Sequence, residues 1–142
     1  MKNIPRFTRV FWFSYIVCMI WALAVIVVFV LFSPNNPNFE NMGTFEAALS
    51  VKLSLRRIVA VVVGAVVITA LLFTNSRFFD KAMIFISAWM WAAYIDDYLV
   101  MFPYVYVPEE FVAQFVLQLR PLIMMLVSWI AIESHLRREA CR

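Results

Sequence analysis

Glycine, cysteine and histidine are scarce in this chain, and each scarcity removes a class of chemistry. Only two of 142 residues are glycine, Gly43 and Gly64. A phosphate-cradling loop needs glycines for tight turns and close backbone approach, so neither a dinucleotide fingerprint nor a P-loop fits. The two cysteines, Cys18 and Cys141, cannot build a disulfide framework; one lies in an apolar run and the other among charged residues. The single histidine, His135, argues against an intramembrane b-type haem held by paired histidines. Charge is scarce too: 15% of residues are Asp, Glu, Lys or Arg, against about a quarter in an ordinary soluble domain.

What is present in excess is apolar surface. The composition is 65% hydrophobic, with a mean hydropathy of +0.86. A soluble domain of this length could not bury so much, so the composition predicts one integral membrane domain over residues 1–142. The net charge of +3 is small; it reads as a topology signal, with no nucleic-acid partner implied.

The apolar residues fall into runs of bilayer length. A hydrocarbon core of about 30 Å takes roughly 20 helical residues. Residues 10–32 contain no charge, and Ser33, Pro34, Asn35, Asn36, Pro37 and Asn38 end the run. Lys2, Arg6 and Arg9 precede it as in a signal peptide. The run is longer than a signal's apolar core, however, and no small-residue cleavage site follows, so it reads as a retained helix. Residues 58–73 are uncharged but make only about 24 Å of helix. With no proline or glycine over 44–57, one long helix from Thr44 is expected, with Lys52, Arg56 and Arg57 at headgroup level; the alternative is an interfacial helix and a bend. The third run ends by Pro103. Glu109 and Glu110 suit the start of a fourth helix, and Pro121 within it frees the carbonyl of Leu117 and predicts a bend. The expectation is an all-α integral membrane protein with four transmembrane helices in two antiparallel hairpins. The spans are about 10–33, 55–74, 81–103 and 110–132, with an outer loop at 34–54 and a cytoplasmic tail at 133–142.

Basic residues set the expected orientation. Lys2, Arg6, Arg9, Arg77, Lys81, Arg137, Arg138 and Arg142 share one side of such a hairpin pair, against Lys52, Arg56 and Arg57 on the other. That bias predicts both termini in the cytoplasm of a bacterial-type inner membrane.

Three charges fall inside the expected spans: Asp96, Asp97 and Arg120. Each would cost at least ~2.5–3.5 kcal/mol facing lipid, so each needs a partner. Side chains lean toward a helix's N-terminus. On antiparallel third and fourth helices, the aspartates and Arg120 lean toward one another. Ala88, Ala92 and Asp96 lie at i, i+4 and i+8, a small-residue stripe that marks Asp96 as the first choice for pairing with Arg120. Asp97 would then need Arg57, water, a protonated state or another subunit. Gln114 and Gln118 make a second polar face on the fourth helix, more easily satisfied by another subunit than within a monomer.

Catalytic groups are not assembled by the sequence. Ser14, Ser87 and Ser128 have no histidine within reach in the membrane, and Glu133, His135 and Cys141 match no metal-ligand spacing. The first span also lacks the glutamate of small multidrug exporters. No cofactor or metal is expected. The reading is a non-catalytic accessory subunit or assembly partner of a larger inner-membrane complex, whose partners are the bilayer and other membrane subunits. The competing reading is a small oligomeric transporter or channel using Asp96, Asp97 and Arg120; a weaker third is an intramembrane enzyme acting on lipid.

Overall fold

The computed structural model describes residues 6–32, 44–99 and 111–141, with the side chains of Phe29, Phe32, residues 44–54, Asp97, Tyr98 and Ala113 outside that description. Glu109, Glu110, the loop at 34–43 and the turn around Pro103 likewise lie outside the described residues. Among the described residues the structure is all helical: α1 Arg9–Phe32, α2 Thr44–Phe73, α3 Phe79–Leu99, α4 Phe111–Gln118 and α5 Arg120–Ala140.

Local chemistry explains where these helices begin and end. Thr8 caps α1, its hydroxyl accepting the N–H of Phe11 at 3.2 Å. The 30-residue α2 is unbroken from Thr44, as the absence of proline and glycine over 44–57 predicts. It stops in a Schellman turn: Ser76 N–H donates to Leu71 O and Asn75 N–H to Leu72 O, with Asn75 in the left-handed region at φ 48°. Ser76 then starts the next helix. Its hydroxyl accepts the N–H of Phe78 at 3.2 Å, its carbonyl accepts the N–H of Phe79, and Asp80 occupies the first turn of α3, where a carboxylate suits the helix dipole.

Contacts between helices fix an alternating, up-and-down bundle. Thr8 meets Glu133 while Trp21 meets Val116, so α1 runs antiparallel to α4 and α5. Asp80 meets Arg138 and Ser87 meets Ser128, so α3 is also antiparallel to α5. The short turn after Phe73 makes α2 and α3 a hairpin. The start of α1, the α2–α3 turn and the end of α5 therefore share one end of the bundle, which carries Arg9, Arg77, Lys81, Arg137 and Arg138.

The core is concentrated toward that end. Phe11, Phe79, Met83, Met124 and Ile130 are essentially inaccessible. Phe7 stacks on Phe11 with ring centroids 4.0 Å apart, and Phe79 lies 6.3 Å from both. Toward the other end packing thins; among the described residues of α2, Ile68 is the buried one.

Several expectations change. Two helices, Arg9–Val28 and Leu55–Phe73, are long and apolar enough to cross a membrane among the described residues; four such helices are not seen. α3 carries Asp96 and Asp97 near its end, and α5 carries Glu133 to Arg138, so neither is uniformly apolar. The expected fourth span is two helices interrupted at Leu119, because Pro121 has no N–H to give the Leu117 carbonyl. The indole of Trp21 donates to the adjacent Val116 carbonyl at 2.8 Å. The segment expected as a tail at 133–142 is helical as far as Ala140.

Candidate functional site

The most developed polar site lies at the end where α1 begins and α5 finishes. Glu133 is 6% exposed, and its carboxylate is ringed by donors. Thr8 gives it a backbone N–H and a hydroxyl, both at 2.8 Å. The Trp129 indole donates at 3.1 Å, and the Arg137 guanidinium stands 3.8 Å away. In an ordinary capping box, a glutamate inside the same helix reaches back to the cap N–H. Here Glu133 does so from α5, adding favourable charge at the positive end of α1.

Asp80, 4% exposed, forms the second half of this cluster. Arg138 Nη1 lies 3.9 Å from one of its oxygens and His135 Nδ1 3.7 Å from the other. Arg138 also donates to the Ser76 carbonyl through Nη2, tying the end of α5 to the α2–α3 turn. Asp80 Oδ1 and Arg138 Nε have no hydrogen-bond partner among the described residues. Their attraction is therefore one of charge across a gap rather than of direct donation. The arrangement fastens four helix ends, with Glu133 accepting hydrogen bonds and Asp80 facing Arg138 across the gap.

About two turns further in, hydroxyls and indoles link the helices. Ser87 and Ser128 share a 2.9 Å hydrogen bond between α3 and α5. The Trp91 indole donates to Ser128 at 3.0 Å, and the Ser128 hydroxyl itself donates to Met124 O at 2.8 Å. Tyr15 and Thr69 join α1 to α2 at 2.8 Å.

The residues singled out from sequence lie toward the opposite end. Arg120 places its guanidinium 5.3 Å from the centre of the Tyr94 ring, a cation–π contact. Among the described residues no ion pair joins Arg120 to Asp96, and helix geometry explains why. Asp80, Met83, Ser87 and Tyr94 fall within about 60° of one another at 3.6 residues per turn, and this face meets α5. Asp96 is on nearly the opposite side and half-buried. Ala88 and Ala92, whose stripe pointed to Asp96, are exposed; this stripe is not the packing face. Asp97 falls about 60° from Tyr94 on the helix, but its side chain lies outside the described residues. Arg57 is half-buried on α2, about 24 Å above Phe73, which puts it at the level of Asp96. Gln114 is half-buried and Gln118 exposed on α4; neither amide has a hydrogen-bond partner among the described residues.

Sequence reasoning missed Asp80 and Glu133. The signals were local: Trp129, Glu133 and Arg137 repeat at i, i+4 and i+8, and Thr8 stands three residues before Phe11 in a cap position. Among the described residues no group of three His, Cys, Asp or Glu side chains could hold a metal ion. The chain matches no protein-family model, no curated protein and no solved structure.

Proposed function

We propose that this chain is a non-catalytic accessory subunit or assembly partner of a larger membrane-protein complex, with all four helical layers in a bacterial-type inner membrane and both termini cytoplasmic. Bilayer placement draws support from α2. Only 6% of its apolar stretch Leu55–Phe73 is buried inside the protein, whereas a helix in a soluble core buries most of such a surface. Leu55, Val59, Val62, Val66 and Phe73 are all exposed and lie on one side of α2, an apolar band that water would not tolerate. The basic residues gathered at one end of the bundle favour that end inside.

The observation that carries the assembly reading is the face of α4 built from Phe111, Gln114, Phe115 and Gln118. Both phenylalanines are exposed and stacked with ring centroids 6.4 Å apart. The two amides beside them lack partners among the described residues. Amides on an apolar helix hydrogen-bond across to another helix when one is offered, worth roughly 0.6–2 kcal/mol each. The test is extraction from native membranes in mild detergent, comparing the unaltered chain with a Gln114→Leu, Gln118→Leu variant. The unaltered chain is expected to elute with other polypeptides and the variant to elute alone. Elution of the unaltered chain as a lone monomer would overturn the reading. If that monomer also conducted ions in liposomes and lost the activity on Asp96→Asn, the transport alternative would replace it.

A further inference from the structure

A groove of about 520 Å³ opens between α1, α2, α3 and α5. Trp21, Ala60, Gly64, Ile68, Trp89 and Val127 are among its walls, and every lining side chain is apolar. That volume is within the range of about 300–1,000 Å³ typical of ligand sites, and a wall without polar side chains gives water nothing to bond. Gly64 keeps the groove wide, since a Cβ there would meet nothing within 4 Å.

We infer that the groove holds an acyl chain of an anionic phospholipid whose headgroup phosphate sits against Arg56. The inference rests on the bilayer placement of α1 and α2 and is independent of the assembly reading, because the groove lies on the inward side of α2. Two rows of α2 line it: Ala60, Val63 and Val67, and Val61, Gly64 and Ile68. Continued one turn toward the N-terminus, the first row reaches Arg56 and the second Arg57. Side chains lean toward the N-terminus of their helix, so the guanidinium of exposed Arg56 reaches beyond the mouth of the groove rather than into it. From Arg56 to Ile68 the helix rises about 18 Å, close to the ~15 Å depth of a single hydrocarbon leaflet. Apolar walls one leaflet deep ending in an exposed cation match a lipid with an apolar chain and a negative head. A zwitterionic lipid has the chain but lacks the net charge.

Trp21 and Trp89 line the groove and report its occupant. The purified full chain is reconstituted into phosphatidylcholine vesicles containing a minor fraction of brominated phosphatidylglycerol, or the same fraction of brominated phosphatidylcholine, and tryptophan quenching is recorded. Stronger quenching by the brominated anionic lipid is expected. Gly64→Leu fills the groove with a better helix former than glycine; with helix content unchanged by circular dichroism, it is expected to abolish the preference. Exposed Arg56, changed to Gln, is expected to weaken the preference about five-fold, the effect of one basic residue near an anionic surface. Equal quenching by the two lipids, or a preference that survives Gly64→Leu or Arg56→Gln undiminished, would overturn the lipid site alone. Absence of quenching by either lipid would overturn the bilayer placement and the lipid site together.

Discussion

The buried Glu133 carboxylate accepts three hydrogen bonds, and its surroundings set what its loss would do. Removing the carboxylate leaves the Thr8 N–H, the Thr8 hydroxyl and the Trp129 indole without their acceptor. A buried donor left unsatisfied costs about 1–3 kcal/mol, and bonds to a charged group lie at the upper end. Glu133→Ala is therefore expected to destabilise the bundle by about 2–3 kcal/mol. Thr8→Ala removes a hydroxyl but keeps the backbone N–H, and about 1 kcal/mol is expected, as for other cap residues. Denaturant titration of the detergent-solubilised chain, followed by circular dichroism, checks both the loss and the ranking. Equal effects would mean that the carboxylate does not hold the start of α1.

At the scale of elements, the turn between α2 and α3 sets which helix faces meet. Asn75 occupies the left-handed position of the Schellman turn. Asparagine tolerates that conformation, glycine adopts it freely, and a β-branched side chain meets the following carbonyl at a cost of about 1–2 kcal/mol. Asn75→Gly is expected to leave stability nearly unchanged and Asn75→Val to lower it by about 1–2 kcal/mol in the same titration. The break between α4 and α5 is of the opposite kind, with a missing donor rather than an unusual dihedral. Pro121 identified this break from sequence, since its lack of an N–H does not depend on context. The contact of Trp21 with Val116 O was not legible there, because the two residues are 95 positions apart.

For the whole molecule, the alternating bundle brings the start of α1, the α2–α3 turn and the end of α5 to one end. The chain carries its own probe of this arrangement. Cys18 is buried and Cys141 exposed, so a membrane-impermeant maleimide is expected to label Cys141 and leave Cys18 unmodified. In vesicles of known sidedness, a cysteine introduced by Arg77→Cys on a Cys141→Ser background is expected to label from the same side as Cys141 in the unaltered chain. Labelling from opposite sides would contradict an even number of crossings between residues 77 and 141.

The long unbroken α2 and the interruption near Pro121 were legible in the sequence alone, because proline chemistry and the absence of breakers act locally, whereas the helix through Ala140 was not. The small-residue stripe of Ala88, Ala92 and Asp96 was equally visible, yet it turned outward. Which side of α3 meets α5 depends on residues far apart in the chain, such as Ser87 with Ser128 and Tyr94 with Arg120. Asp80 and Glu133 were hidden for the same reason: Asp80 opens α3 and Glu133 follows the expected fourth span, where a solvated charge is the ordinary outcome. Only the docking of Thr8 and Arg138 from elsewhere in the chain makes Glu133 a buried acceptor and Asp80 a buried charge facing a guanidinium. The scarcity of charge thus determined the kind of surface this chain carries. The tertiary structure decided which few charges would be buried, because burial follows from the neighbours that packing supplies rather than from a residue's place in a run.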